Sequence, residues 1–241
     1  MATRRISPRC LLHGLVVFAS IGAMAQDQGQ QAPVDVQVRI KLPKPRPHGH
    51  TTPAVVWLQP GTDTPSRPFM PGGRYTLTQK NRMFTPHLLV VPVGSEVFFP
   101  NLDPFFHNVF SLFNGKRFDL GLYEAGTTKD VTFSREGVSY IFCNIHPEMS
   151  AVIVALSTPL YAASGVEGVY SIRDVPPGEY EMHVWIEGLT QQALNRLRRR
   201  VQVSAANTDL GVIDATASPL QSSEHLNMFG QPYDRDSKPT Y

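Results

Sequence analysis

The 241-residue sequence has few cysteines, little net charge and no apolar run long enough for a membrane span. There are 2 cysteines, and 22 basic residues nearly balance 20 acidic ones. The apolar stretch at residues 11–24 is too short for a stable transmembrane helix, and polar residues follow it directly. The charge balance gives no basis for nucleic-acid binding, and no integral membrane segment is expected in the mature chain.

The first 25 residues are typical of a signal peptide. Arg4, Arg5 and Arg9 come before the apolar stretch, and residues 23–25 read Ala-Met-Ala, a small-x-small cleavage pattern. We therefore predict cleavage after Ala25 and a periplasmic or secreted mature protein. Three of the 22 basic residues would leave, so 19 would face 20 acidic residues, a net charge of −1.

The same cleavage removes Cys10 and leaves Cys143 as the one cysteine of the mature chain. A single cysteine in an oxidising compartment has no partner for an internal disulfide. Four roles therefore stay open for Cys143: an inert buried side chain, a reactive thiol, a disulfide between chains, or a metal ligand.

Helical periodicity is also missing, and short β-branched and aromatic runs alternate with Pro, Gly and Asn. This pattern predicts an all-β chain of packed antiparallel sheets. Seven strand candidates lie close together, as in a β-sandwich. They are residues 75–79, 88–93, 96–100, 107–111, 129–133, 139–144 and 151–156. Further strands are expected at residues 34–42, 54–58, 168–172, 180–186, 199–203 and 210–213, and a short helix at residues 190–198.

The most informative segment is CNIHPEM at residues 143–149, with His107 36 positions before Cys143. A thiolate, two imidazoles and a weak thioether form the ligand set of blue-copper electron-transfer sites. The residues therefore predict one copper ion bound by His107, Cys143, His146 and Met149. Each residue also has a structural interpretation, as a buried cysteine, a core methionine or a loop histidine. Zinc would suit the two histidines and the cysteine, but methionine is a poor zinc ligand.

The segments NLDPFFHNVF and GVSYIFCNIHPEM resemble the cupredoxins, and the C-x2-H-x2-M spacing is most similar to that of amicyanin. The resemblance covers residues 75–156 and implies a cupredoxin Greek-key β-sandwich over residues 71–156. It implies the same four copper ligands. It also implies that Asn108 braces the ligand loops by hydrogen bonding.

A second resemblance begins at residue 168. GVYSIRDVPPGEYEMHVW is similar to the carboxypeptidase regulatory-like or transthyretin-like β-sandwich, which implies a second, smaller sandwich over residues 157–215. Residues 26–70 are N-terminal strands, either the first part of this second sandwich or extra strands of the cupredoxin. In the first case the copper domain is inserted into the second sandwich. Residues 216–241 are polar and predict a flexible tail.

These features predict an exported one-electron carrier that cycles between Cu(II) and Cu(I) and is not an enzyme. Its partner would be a redox protein, and Phe105, Phe106 and Pro147 are candidates for the docking surface because they lie beside the predicted ligands in the sequence. The alternatives are a copper-handling module without electron transfer, an enzyme subunit with additional copper sites, and a structural sandwich that binds no copper. His87 and His183 receive no role.

Overall fold

The structure is a computed structural model, and it describes residues 32–42, 52–64, 66, 69–112, 115–163, 165, 168–220, 227, 229 and 231. The predicted signal peptide and most of the predicted flexible tail lie outside the described residues. No helix within these ranges is long and apolar enough to cross a membrane.

Within these ranges the chain forms strands and one short helix. The strands are β1 (Val34–Lys41), β2 (Ala54–Pro60), β3 (Arg74–Thr76), β4 (Thr78–Lys80), β5 (Met83–Thr85), β6 (Leu88–Pro92), β7 (Ser95–Pro100), β8 (His107–Ser111), β9 (Phe118–Tyr123), β10 (Thr128–Phe133), β11 (Gly137–Phe142), β12 (Ser150–Leu156), β13 (Tyr161–Ala163), β14 (Val169–Val175), β15 (Gly178–Ile186), β16 (Arg199–Val203) and β17 (Asp209–Asp214). The helix α1 (Gln191–Leu197) follows Thr190, whose hydroxyl accepts a hydrogen bond from the Ala193 amide at 3.1 Å.

The strands from the middle of the chain, residues 74–156, pair among themselves. The larger of their two main sheets has the order β6-β12-β11-β8-β9, and the smaller has the order β10-β7-β3. Strands β4 and β5 form a separate hairpin. Pairing in the larger sheet is antiparallel except between β6 and β12. This arrangement brings the start of β8 beside the end of β11.

The strands that flank this middle segment form two further sheets. One has the order β14-β1-β17 and the other has the order β13-β2-β15-β16. Strands β1 and β2 therefore pair with strands that follow residue 160, and within the described residues they pair with no strand of the middle segment.

The buried apolar side chains form two clusters, which we call the middle-segment core and the flanking-segment core. Strand β12 contributes to both, because successive side chains of a strand point to opposite faces. Ala151, Ile153 and Ala155 lie in the middle-segment core. Val152, Val154 and Leu156 lie in the flanking-segment core, among side chains of β1, β2, β14 and β15. Both faces of the larger middle sheet are therefore covered.

A hydrogen bond also crosses from the flanking segment to the middle segment. The indole Nε1 of Trp185 on β15 donates to the hydroxyl of Tyr140 on β11 at 3.2 Å. Trp185 is 1% exposed, so its polar atom needs such a partner.

The prediction of an all-β sandwich fold is confirmed, while several strands differ in extent. The predicted strand at residues 75–79 is wrong as a single element, because β3 and β4 are separated at Leu77 and pair with different strands. The Leu77 side chain is fully buried in the middle-segment core. Strands β5, β9 and β13 were not predicted from the sequence. Strand β9 is an edge strand with largely exposed side chains and a Gly121 at φ 64°, which weakens its strand pattern.

Candidate metal centre

The candidate centre lies at one end of the larger middle sheet. His107 is the first residue of β8, and Cys143 directly follows β11. The loop from Cys143 to Met149 then leads into β12. It is closed by two backbone hydrogen bonds, from the Cys143 amide to the Met149 carbonyl at 3.3 Å and from the Met149 amide to the His146 carbonyl at 3.0 Å. Phe142 pairs with Phe110 of β8, which places the two strands side by side.

The structure brings three of the four predicted ligands together. The Nδ1 atoms of His107 and His146 are 3.1 Å apart. The Sγ atom of Cys143 is 3.9 Å from Nδ1 of His107 and 3.6 Å from Nδ1 of His146. All three residues are buried, with exposures of 0%, 0% and 2% for His107, Cys143 and His146. Two nitrogen donors and one sulfur donor therefore face a common point inside the protein.

Met149 is fully buried and belongs to the same middle-segment core as Cys143. Its backbone closes the loop that carries Cys143 and His146. The cluster of ligand atoms itself consists of His107, Cys143 and His146. The role of Met149 as a fourth ligand stays a prediction.

The donor set fits a transition-metal ion. Metal–nitrogen bonds of about 2.0 Å and metal–sulfur bonds of about 2.3 Å hold ligand atoms roughly 3 to 4 Å apart, and the three separations here fall in that range. A thiolate with two imidazoles and a thioether nearby is the donor set of blue-copper sites. Copper would supply one-electron redox chemistry at this point.

Burial shifts the pKa of each of the three predicted ligands. It lowers the pKa of His107, against the neighbouring Asp103, and it lowers the pKa of His146, with help from the His107 charge. Both imidazoles are therefore disposed to be neutral, the form that binds metals. Burial also raises the pKa of the Cys143 thiol, against hydrogen bonds from the backbone of Asn108, Ile145 and His146. A metal would have to displace this proton in order to bind.

Asp103 lies in contact with the candidate centre and was not singled out from the sequence, because Asn101 to Pro104 has the pattern of a turn. Its Oδ2 atom lies 2.9 Å from Nε2 of His107, and the side chain is 5% exposed. Burial by itself would raise the pKa of Asp103, but hydrogen bonds from Arg82, His107 and Asn81 outweigh it and lower the pKa. The sequence does place Asp103 four residues before the predicted ligand His107, but this spacing by itself is not specific for a contact with the centre.

Asn101 fixes the loop that carries Asp103. Its side-chain amide donates to the carbonyls of Phe105 at 2.8 Å and Tyr123 at 3.3 Å, and its Oδ1 accepts from the Asp103 amide at 3.0 Å. Asn101 is fully buried. These bonds hold the approach to β8 in place.

Asn108 makes two contacts near the centre, and its role in bracing the ligand loops stays a prediction. The Asn108 backbone lies in hydrogen-bonding contact with the Cys143 thiol. The side-chain amide donates instead to Asp119 of β9 at 2.7 Å, so it connects two neighbouring strands.

The three predicted docking residues differ in exposure. Phe106 is 49% exposed, and Pro147 is also exposed. Phe105 is half-buried, and its ring centroid lies 5.2 Å from that of His107 and 5.6 Å from that of His146. The Arg82 guanidinium lies on the Phe105 ring at 5.2 Å. Phe105 therefore packs against the centre, while Phe106 and Pro147 are on the surface.

No protein-family model matches the chain, and no curated protein matches it. Solved structures do resemble it. A purple cupredoxin from Nitrosopumilus maritimus is 24% identical, and the match covers 34% of this chain and 99% of that one with a TM-score of 0.31. The copper-containing nitrite reductase (NirK) from Thermus scotoductus is 24% identical, with 41% and 25% covered and a TM-score of 0.33. A reduced amicyanin variant is 21% identical, with 35% and 83% covered and a TM-score of 0.33.

Proposed function

We propose that this protein is an exported one-electron carrier with a single copper ion bound by His107, Cys143, His146 and Met149. The observation that carries the proposal is the convergence of two histidine Nδ1 atoms and one cysteine Sγ atom within 3.1 to 3.9 Å of one another. Their burial favours the neutral imidazoles and excludes water from the thiolate. Soft sulfur ligands favour Cu(I) and the nitrogens favour Cu(II), so one ligand set supports both states.

The proposal does not include enzymatic activity. Four protein ligands leave no open position for a substrate, whereas catalytic metal sites keep one position open. The electron would instead leave through the protein surface nearest the copper. The exposed side chains of Phe106 and Pro147, with Leu102 at 56% exposure, are the proposed docking surface for a redox partner.

We further propose that residues 34–60 and 161–214 form one unit into which the middle segment is inserted. The pairing of β1 and β2 with strands that follow residue 160 supports this division. The resemblance to the carboxypeptidase regulatory-like or transthyretin-like sandwich favours a docking or stabilising role for this unit.

The direct test is a visible absorption spectrum of the mature protein with one equivalent of Cu(II), beside a Cys143→Ser variant. The wild-type protein should show an intense thiolate-to-copper band that ascorbate bleaches. The variant should lack the band, because a serine hydroxyl cannot replace the thiolate. A wild-type protein that stays colourless and releases copper on desalting would contradict the proposal.

The docking surface has its own test, in which Phe106→Asp is the better variant and Phe105→Asp the contrast. Phe106→Asp should slow electron exchange with the native partner and leave the copper spectrum unchanged, because the ring is exposed. Phe105→Asp should also alter the spectrum, because Phe105 packs against both histidines. Unchanged exchange in Phe106→Asp would contradict this placement of the docking surface.

A further inference from the structure

The Asp103 carboxylate connects His107 to a tight turn of the neighbouring hairpin. Its Oδ1 accepts a hydrogen bond from the Asn81 amide at 2.6 Å, and its Oδ2 accepts one from the Arg82 amide at 2.9 Å. The same Oδ2 lies 2.9 Å from Nε2 of His107. Three donors thus surround one buried carboxylate, which is itself 5% exposed.

The turn explains why the acceptor is a carboxylate. Asn81 and Arg82 form a two-residue connection between β4 and β5, and both have a φ of 54°. This left-handed backbone is unfavourable for most residues, and it is uncommon for an arginine. A carboxylate can accept from both turn amides and still keep a lone pair for a third donor. The two turn amides therefore fix the orientation of the carboxylate that meets His107.

The hydrogen bond determines which nitrogen of His107 carries the proton. An ionised carboxylate only accepts, so the bond requires a hydrogen on Nε2. In a neutral imidazole Nδ1 is then unprotonated, and Nδ1 is the atom that faces Cys143 Sγ and His146 Nδ1. We propose that Asp103 is a positioning residue that holds His107 in the Nε2–H tautomer and so directs the Nδ1 lone pair to the metal.

The metal part of this inference rests on the proposed function, whereas the tautomer belongs to the protein alone. A carboxylate on the outer nitrogen makes a ligand histidine more basic and fixes its ring orientation, and loss of such a partner typically costs about 10- to 100-fold in metal affinity. A more basic imidazole favours Cu(II) over Cu(I). Loss of the carboxylate should therefore weaken Cu(II) binding most and raise the reduction potential.

The test compares Asp103→Asn with Glu148→Gln. Both variants remove one negative charge near the centre, but Glu148 is exposed and carries no hydrogen bond to His107 among the described contacts. In Asp103→Asn a single oxygen remains, and we expect it to keep the shorter bond, from the Asn81 amide at 2.6 Å. The NH₂ group then takes the place of Oδ2, beside the Arg82 amide and Nε2 of His107. Nε2 must then accept, and the proton moves to Nδ1, where it blocks the metal.

Nitrogen-15 NMR of the copper-free proteins reads the tautomer of His107 without any metal. We expect Nε2–H in the wild type and in Glu148→Gln, and Nδ1–H in Asp103→Asn. Competition titrations with Cu(II) should then show about a 10- to 100-fold loss of affinity in Asp103→Asn and a much smaller change in Glu148→Gln. Asp103→Glu, which keeps an acceptor, should recover part of the affinity.

An Nδ1–H tautomer in the copper-free wild type would overturn the inference, even if Asp103→Asn fails to fold. Equal copper affinity in Asp103→Asn and Glu148→Gln would also overturn it. A wild type that binds no copper but keeps the Nε2–H tautomer would contradict the proposed function and leave the role of Asp103 in holding the tautomer intact.

Discussion

The middle-segment core and the flanking-segment core share strand β12 but differ in the side chains that they bury. The flanking-segment core consists of aliphatic and aromatic side chains with one methionine, Met182. The middle-segment core includes the buried Cys143, and the buried His107, His146 and Asp103 lie beside it. In the described part of the chain, every buried histidine and aspartate lies at this one end.

The buried apolar side chains and the buried titratable side chains should therefore contribute differently to stability and to the proposed function. Burying titratable groups costs free energy unless partners compensate for it. The hydrogen bonds to Asp103 and the contact between the two imidazoles supply part of that compensation, and a bound metal would supply more. Apolar side chains need no such arrangement, so stability should depend mainly on the apolar parts of both cores. The proposed function should depend on the polar end.

The largest expected effect on stability is that of Trp185→Ala. Trp185 is 1% exposed and donates a hydrogen bond to the Tyr140 hydroxyl, so its removal should leave a cavity and remove this hydrogen bond. The free energy of unfolding should fall by about 3–5 kcal/mol, measured by urea denaturation of the copper-free protein. Phe106→Ala is the matched control, because Phe106 is exposed, and it should change stability by less than about 0.5 kcal/mol. Similar losses of unfolding free energy in both variants would contradict the expected difference between the buried Trp185 and the exposed Phe106.

Met149→Leu should have the opposite profile, with a small effect on stability and a clear effect on the copper. The two side chains are similar in volume, so the cost should be below about 1.5 kcal/mol. Loss of a thioether ligand should raise the reduction potential and change the visible spectrum, because the axial ligand tunes both properties. An unchanged spectrum and potential would show that Met149 only packs in the core.

Acid should destabilise the copper-free protein through the centre. The pKa of His107 and of His146 is lowered by burial. Below the usual histidine pKa of about 6.5 the unfolded chain therefore binds more protons than the folded one. The free energy of unfolding should fall as the pH drops through the window below about 6.5. His146→Gln should reduce this slope in urea denaturation at pH 5 to 8, and an unchanged slope would exclude His146 as its source.

The smallest effect on stability is expected from His87, which contacts Glu187 of the flanking segment. Its contribution should change with pH in the direction opposite to that of His107 and His146. Its Nε2 lies 2.7 Å from the Glu187 carboxylate and its Nδ1 lies 3.1 Å from the Ser150 carbonyl. The hydrogen bond to Glu187 raises the pKa of His87, against partial burial. The stabilisation of the folded protein by the His87–Glu187 pair is therefore present in acid, and it disappears as the pH rises through the raised pKa of His87.

Because the His87 and Glu187 side chains are 43% and 33% exposed, this contribution should be about 0.5 kcal/mol. Glu187→Gln should remove it at pH 6 and change little at pH 9, measured by the same urea denaturation. Glu179→Gln, a single carboxylate change at an exposed position of β15, serves as the control. A loss that persists at pH 9 would assign the effect to packing rather than to the ion pair.

Sequence patterns predicted the strands of both segments better than their connections. Alternation over residues 34–42 and the buried run at residues 151–156 identify strands because packing on one or two faces fixes their composition. Strand β9 and the break at Leu77 were missed, since edge strands and kinks depend on neighbours that are distant in the chain.

The cluster of His107, Cys143 and His146 could be predicted as a set of residue types, because each donor is chemically distinctive. Met149 lies in the same heptapeptide as Cys143 and His146, and its role as a donor stays a prediction. Asp103 could not be predicted in this way. Its role depends on the turn at Asn81 and Arg82, which meets the carboxylate only after the hairpin and the loop before β8 have folded together. An aspartate in a turn commonly stabilises the turn by hydrogen bonds to the backbone. Spacing alone therefore does not distinguish this structural role from that of orienting His107.

The most direct test of the account is a redox titration of the copper-loaded protein, followed at the thiolate-to-copper band. We expect one copper per chain and a band that disappears on one-electron reduction. The full band should return on reoxidation, because the same buried ligands would hold both oxidation states. Release of copper on reduction, or a band that does not return, would contradict an electron-transfer role and favour a copper-handling protein.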